Sequence, residues 1–306
     1  GADAPFLHIV TIRRLPKAYA TLRTRRAVLR FYHGDALEVF DRLGPSRVDA
    51  IVTSPPYNLG VRYRTYNDSL PADSYQDWTD RWIRAAAGAL TPAGSLFLNV
   101  GTTPTKPWTA FDIAHTARGH LELQNTIHWI KSITIERAES GLNVGPERTL
   151  AVGHYKPINS QRFLNECQEF IFHFSPRGRT PLDRLAIGVP YQDKSNVARW
   201  QGTGADLRCR GNTWFIPYST IQNRKRDRPH PATFPPRLPR QCLQLHGLSR
   251  IALAMDPFLG LGSSAVACAE LGVNFVGVEI DRAYLDEAIE RVRGAIAGGR
   301  NDTRTG

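Results

Sequence analysis

The tetrapeptide Ser54-Pro55-Pro56-Tyr57 directly follows the apolar run Val48-Asp49-Ala50-Ile51-Val52-Thr53. Two consecutive prolines fix φ and remove two N–H donors, so the segment leaving the strand is stiff and offers carbonyl acceptors without competing donors. Such a loop suits an exocyclic amino group. The Ser54 hydroxyl accepts one amino hydrogen, a carbonyl of Pro55 or Pro56 accepts the other, and Tyr57 gives a flat face on which a base stacks. Taken alone, the same residues read equally well as a strand closed by a proline turn.

A second constellation spans Asp256-Pro257-Phe258-Leu259-Gly260-Leu261-Gly262-Ser263-Ser264-Ala265. It reads as a glycine turn between a strand and a helix. Gly260 and Gly262 are expected to let the backbone approach a ligand, and a helix starting near Ser263 presents a partly positive N-terminus. Glu279 stands nineteen residues beyond Gly260, at the end of the next strand, where a carboxylate accepts both ribose hydroxyls of an adenosine-containing cofactor. Gly-x-Gly-x-x-Ala followed by an acid also fits the dinucleotide fingerprint, so an NAD-linked oxidoreductase competes. Only 44 residues follow Gly262, too few for a two-halved dinucleotide domain. Strands from earlier in the chain must complete the sheet. For Glu279 the structural alternative is a surface ion pair with Arg282.

The elements that position these motifs alternate between short apolar runs and helical patterns, the signature of an α/β domain with a mostly parallel sheet. Strands are predicted at 29–32, 48–53, 95–100, 126–130, 170–174, 250–255 and 274–278. Helices are predicted at 36–43, 75–90, 237–248, 263–271 and 282–296. Residues 176–229 show no sustained period, and residues 298–306 read as a disordered tail.

Composition narrows the partners. Thirty-nine Lys and Arg against 28 Asp and Glu give a formal charge of +11 over 306 residues, which suits a polyanion. No apolar run approaches a spanning helix and no N-terminal segment reads as a signal, so membrane is excluded as a partner and a cytoplasmic setting is expected. Cys167, Cys209, Cys242 and Cys268 form no C-x-x-C pair, which indicates neither a disulfide framework nor a zinc site. No metal ligands are assigned.

Five segments in one order resemble the amino-group DNA methyltransferases that use S-adenosylmethionine, in the permuted (beta) order with the catalytic loop before the cofactor loop. They are Tyr32-His33-Gly34-Asp35-Ala36, Thr53-Ser54-Pro55-Pro56-Tyr57, Arg228-Pro229-His230-Pro231-Ala232-Thr233-Phe234-Pro235, Asp256-Pro257-Phe258 through Gly262, and Gly277-Val278-Glu279. The resemblance implies a Rossmann-like class I methyltransferase sheet, mostly parallel with one antiparallel strand, plus an irregular target-recognition insertion. It divides the chain into a basic arm (1–27), a catalytic half (28–175), a target-recognition region (176–229), a cofactor half (230–297) and the tail. It implies catalytic roles for Ser54, Pro55, Pro56 and Tyr57. Contacts to S-adenosylmethionine are implied for Asp35, Phe234, Asp256, Phe258, Gly260, Gly262, Ser263 and Glu279. Asp35 reads alternatively as a helix cap, Asp256 as a turn residue, and His230 as structural.

Ser54 stands where relatives that methylate adenine N6 usually carry Asp or Asn, and Ser is more often associated with cytosine N4. The resemblance therefore implies a site-specific DNA methyltransferase acting on the N4 of a flipped-out cytosine, with adenine N6 as the alternative and a catalytically inactive nucleic-acid-binding protein or the NAD-linked oxidoreductase ranked below it. Leu261 departs from the small residue usual in the cofactor turn. No Pro-Cys dipeptide is present to serve C5 methylation. For double-stranded DNA, the candidate contacts are Arg199, Arg208, Arg210, Arg224, Lys225 and Arg226, with Trp200 and Trp214 interleaved. A solvated basic loop is the plainer reading of that stretch. A companion restriction endonuclease, and the choice between monomer and homodimer, stay open.

Overall fold

The computed structural model describes residues 15–60, 65–136, 149–153, 159–199, 206–217 and 233–301. Along the chain they form β1 (Ala20–Arg23), β2 (Val28–His33), α1 (Ala36–Leu43), β3 (Val48–Thr53), α2 (Ala72–Ala89), β4 (Leu90–Val100), α3 (Thr109–Ala117), β5 (Glu122–Ile130), β6 (Ser132–Glu136), β7 (Thr149–Gly153), β8 (Gln168–Ser175), α4 (Ser195–Arg199), β9 (Thr213–Phe215), α5 (Arg237–His246), β10 (Ala254–Asp256), α6 (Ser263–Leu271), β11 (Phe275–Glu279) and α7 (Arg282–Asn301). Nine strands make one sheet in the order β1-β2-β11-β10-β3-β4-β8-β5-β9, and β6 pairs with β7 beside it. The five strands from β2 to β4 are parallel. The expected reversed strand is β8, antiparallel to both neighbours. A second, β1, runs against β2 at the edge.

Strands buried on both faces read as near-continuous apolar runs, which is why β3 and β11 are so plain in the sequence. One face carries Leu29, Phe31, Ala50, Phe97 and Phe275 against α5, α6 and α7. The other carries Ile51, Leu96, Leu98, Met255 and Val278 against α1, α2 and α3. In α1, Ala36, Val39, Phe40 and Leu43 recur at i, i+3, i+4 and i+7 and form the buried stripe. Asp35 caps that helix by accepting the Leu37 N–H at 2.8 Å.

Several boundaries differ from expectation. Residues 20–23, read as part of the basic arm, are β1. The 248–255 segment begins with a short 3-10 turn, Leu248–Arg250, before β10. Helix α7 continues to Asn301, so residues 298–301 of the expected disordered tail are helical. The aperiodic stretch supplies α4 and the edge strand β9. Trp214, expected beside DNA, is 1% exposed in that strand, with its Nε1–H donated to the Gly211 carbonyl at 3.0 Å.

One buried polar cluster ties the sheet to α5. Ser95 Oγ lies 2.9 Å from His173 Nε2 and 2.9 Å from His246 Nδ1. Asn125 donates from Nδ2 to His173 Nδ1 at 3.0 Å, so His173 carries its proton on Nε2, donates to Ser95, and Ser95 donates to His246. Burial pushes His173 down to about 3 and His246 to about 4, from an ordinary 6.5. Folded values below the unfolded one mean that this stability is complete above pH 6.5 and is lost as pH falls through 4 and then 3. Asp256, which burial raises to about 6, has the opposite sign, so the histidine part must be read as a difference. His246→Gln keeps a polar group toward Ser95 without titrating. Between pH 7 and pH 4 it should lose roughly 1–3 kcal/mol less stability than the wild-type chain in urea titrations. Equal losses would show that His246 does not titrate on unfolding.

Candidate active site

The chain moves outward from β3 to β4 on one side and from β10 to β11 on the other, so the strand order switches direction between β3 and β10. Ligands in open α/β sheets bind outside the carboxyl ends of the strands at such a point. Both motifs of the sequence arrive there. One pocket is lined by Ser54, Pro55, Pro56 and Tyr57 on one side, and by Phe258, Gly260, Ser263 and Glu279 on another. Asp35 and Phe234 also line it.

The Ser-Pro-Pro-Tyr loop is held in a defined hydrogen-bond polarity. Tyr57 donates its hydroxyl hydrogen to the Asn99 carbonyl at 3.0 Å and accepts from Asn99 Nδ2 at 2.9 Å. A phenol has one proton, so in the 2.5 Å contact between Ser54 Oγ and the Tyr57 hydroxyl the donor is Ser54. That leaves the Ser54 oxygen as an acceptor toward the pocket. Asn99 Nδ2 also donates to Glu169 Oε2 at 2.7 Å, and Lys131 Nζ holds the other carboxylate oxygen at 3.0 Å. Of the two expected proline carbonyls, Pro56 already accepts the Tyr75 hydroxyl at 2.8 Å, while no hydrogen bond to Pro55 is present among the described contacts. Beyond Tyr57, Asn58 turns the chain at φ +56, donates its N–H to the Asp68 carboxylate and exchanges side-chain hydrogen bonds with Leu70, while Lys106 Nζ donates to the Asn58 carbonyl.

On the other wall, Glu279 accepts the Gly260 N–H at 2.8 Å on one oxygen and the Asp281 N–H at 2.9 Å on the other. Burial raises its pKa, and the two backbone donors oppose that shift. The alternative pairing with Arg282 is absent from the described contacts of Glu279: Arg282 Nε instead donates to the Tyr19 hydroxyl at 3.2 Å and lies 3.8 Å from Asp286. Asp35 lines the pocket while capping α1, so its two readings coexist. Phe258 packs on Trp78 at 5.5 Å and edge-on against Trp82 at 5.2 Å, giving the pocket an aromatic floor. Asp281, at the start of α7, accepts the Thr65 hydroxyl at 2.6 Å across the rim. Ser263 lines the pocket, and its hydroxyl is buried with no hydrogen-bond partner among the described residues. An orphaned hydroxyl at a helix N-terminus, beside a carboxylate and aromatic walls, fits a polar nucleoside-type cofactor.

Two expected cofactor residues do other work. Asp256 is 1% exposed and lies beneath the pocket wall, where it accepts the Thr53 hydroxyl at 2.7 Å and the Ser264 hydroxyl at 2.6 Å and so ties β10 to β3 and α6. Gly262 does not line the pocket. It caps α6 at φ +76, and a Cβ there would sit 2.9 Å from the Ala288 Cβ of α7. Its lack of a Cβ permits the close approach of α6 and α7. Gly262→Ala should destabilise the fold by about 2–4 kcal/mol through left-handed strain and overpacking. Urea denaturation checks this, and a loss below about 1 kcal/mol would mean the two helices part easily.

The basic residues are dispersed. Arg208 is exposed and Arg210 half-buried in the turn before β9, neither lining the pocket. Arg199 ends α4, and Arg224, Lys225, Arg226, His230 and Trp200 lie outside the described residues. Sequence reasoning missed Asn99, Glu169, Lys131 and Asp281. Asn99 left a signal, as the lone amide in the apolar run Leu96–Val100, and Asp281 precedes α7 as a cap candidate. Glu169 and Lys131 reach the site only through the pairing of β8 with its neighbours and left none.

The parallel sheet, the switch point and the glycine turn define a Rossmann-like fold of the class I methyltransferases. The chain belongs to the DNA methylase family of N6 and N4 methyltransferases, which it matches over residues 48–290. The Type II methyltransferase M.HpaI of Haemophilus parainfluenzae is 24% identical over 258 residues, 84% of this chain and 72% of that protein. The solved structure of the PvuII DNA methyltransferase, cytosine-N4-specific, shares the fold at a TM-score of 0.61 and 15% identity, over 88% of this chain and 91% of that one. The M1.HpyAVI–SAM complex shares it at a TM-score of 0.50 and 18% identity, over 86% and 99%.

Proposed function

We propose that this DNA methyltransferase transfers a methyl group from S-adenosylmethionine to the N4 amino group of a flipped-out cytosine at a specific site in double-stranded DNA. The observation that carries the reading is the polarity of the catalytic loop: Ser54 donates to Tyr57 and therefore faces the pocket as an acceptor. An amino group conjugated to a pyrimidine is a poor nucleophile because its lone pair is delocalised. Accepting its two hydrogens at Ser54 Oγ and the Pro55 carbonyl favours a pyramidal nitrogen and orients the lone pair. Tyr57 stacks the base, and the Phe258 and Trp78 walls keep water out. Positioning supplies much of the rate, as it does whenever two reactants are held in near-attack geometry. Bound S-adenosylmethionine supplies an electrophilic methyl on a sulfonium. The residues suited to hold it are Glu279 at the ribose, Ser263 and Gly260 at the turn, and Phe258, Phe234 and Asp35 around the remainder. No covalent enzyme intermediate is required.

Serine before Pro-Pro-Tyr supports cytosine over adenine. Among the described residues no helix is long and apolar enough to cross a membrane. A cytoplasmic enzyme working beside a restriction endonuclease of the same recognition sequence is the setting this reading implies. The test is incubation with S-adenosylmethionine and unmethylated DNA, digestion to nucleosides, and mass spectrometry against standards. N4-methylcytosine is the expected product. N6-methyladenine would keep the enzyme class and overturn the base, and the absence of any methylated nucleoside would overturn the activity.

A further inference from the structure

Three residues beyond Phe234, α5 opens on Arg237, and its first turns form one wall of a second cavity. The facing wall is the Ala186–Gly188 segment with Arg210. Arg240 is also present, paired with Glu270 of α6. Arg210 and Arg237 have no carboxylate partner among the described ion pairs. Arg210 Nε donates to the Ile187 carbonyl at 2.9 Å, and its terminal nitrogens have no carboxylate partner among the described residues. Burial and the nearby Arg237 charge both push Arg210 down from its ordinary value. Two guanidinium groups are thus held together at the start of a helix with no acid in its first turn and no side-chain cap.

An independent observation comes from Gln241, which lines the same cavity and is 6% exposed. Arg237 Nε lies 3.3 Å from its Oε1. A guanidinium only donates, so the amide orientation is fixed and Nε2 is the end left over. That NH2 is buried and has no hydrogen-bond partner among the described residues. The one carboxylate among the residues lining the cavity, Glu270, is taken by Arg240, so Arg210, Arg237 and the buried NH2 of Gln241 leave an excess of donors, and an excess of donors suits an oxyanion.

We propose that this cavity binds one backbone phosphate of the DNA substrate, through Arg210 and Arg237 with Gln241 Nε2 as the third donor. The assignment rests on DNA being the substrate. The cavity lies close to the catalytic pocket, because Phe234 lines that pocket and three residues of chain span at most about 10 Å. A phosphate seated here fixes the register of the duplex relative to Ser54 without reading a base.

The test measures duplex binding by fluorescence anisotropy across a salt series, with no turnover needed. Arg237→Gln and Arg210→Gln should each lower the slope of log Kd against log salt by about one, and weaken cognate and unrelated duplexes equally. Gln241→Glu sets a carboxylate against Arg237 in the cavity that Arg210 also lines. It should raise the melting temperature while weakening DNA about tenfold, an outcome that misfolding cannot produce. Unchanged slopes in both arginine variants, or wild-type DNA affinity in Gln241→Glu, would overturn the proposal. Titrating inorganic phosphate separates the sources: if phosphate stabilises the wild-type chain but not Arg237→Gln while the slopes stay constant, the site takes a free anion and the DNA assignment fails. Because each reading is taken relative to wild-type duplex binding, an error in the cytosine assignment would leave these results unaffected.

Discussion

Ser54→Ala should slow methyl transfer about a hundredfold or more in single turnover, while the affinity for S-adenosylmethionine stays within about threefold. The Ser54 oxygen faces the pocket only as an acceptor, because its proton is committed to Tyr57, whose own proton is committed to the Asn99 carbonyl. Alanine removes the acceptor and leaves the cofactor wall untouched, so the loss belongs in the rate and not in cofactor binding. Tyr57→Phe separates orientation from stacking. It keeps the ring but takes away the oxygen that receives the Ser54 proton, freeing that hydroxyl to rotate. Transfer should fall about tenfold, with DNA affinity unchanged. Tyr57→Ala, which also removes the ring, should fall further and bind DNA less tightly. Wild-type single-turnover rates in both Ser54→Ala and Tyr57→Phe would remove the loop from the chemistry.

Glu279→Gln should weaken S-adenosylmethionine binding about 10- to 100-fold by calorimetry, the scale of one or two charge-assisted hydrogen bonds. Both Glu279 oxygens already accept backbone N–H groups, from Gly260 and Asp281, with lone pairs left over for a ligand. A glutamine offers one oxygen and turns an NH2 against the second backbone donor, so the glycine turn should loosen as well. The unliganded variant should therefore melt earlier, and a saturating cofactor should recover only part of the difference. NAD should bind neither protein. Undiminished S-adenosylmethionine affinity would move the ribose contact away from Glu279.

The legible parts of the chain were those whose physics is local. The parallel strands appeared as unbroken apolar runs because both of their faces are covered, and the two site motifs are contiguous in sequence. Strand β9 was hidden, since three residues are too few to carry a period. The start of β4 read as the end of α2, because Leu90 pairs with Val48 in a register that only the assembled sheet decides. Helix α7 was cut short on paper by Gly298 and Gly299, which a helix tolerates at a modest cost. At the site, a glycine that lines the pocket and one packed against a neighbouring helix have the same letter, so Gly260 and Gly262 could not be told apart. The Asn99–Glu169–Lys131 set depends on strand pairing across about 40–70 residues, and no spacing rule reaches that far.

The four strands that ring the pocket come from two distant stretches, β2 and β3 before residue 54 and β10 and β11 after residue 253. Roughly 200 residues separate them, which is about 10–40 s of ribosomal synthesis at ordinary rates. For that interval β2 and β3 have been made but their shared neighbours have not, so two sheet edges stand open and Thr53 lacks the carboxylate it will bond. A nascent chain therefore holds a finished Ser-Pro-Pro-Tyr loop and no cofactor wall. The pocket is therefore complete only once β11, which carries Glu279, is in place.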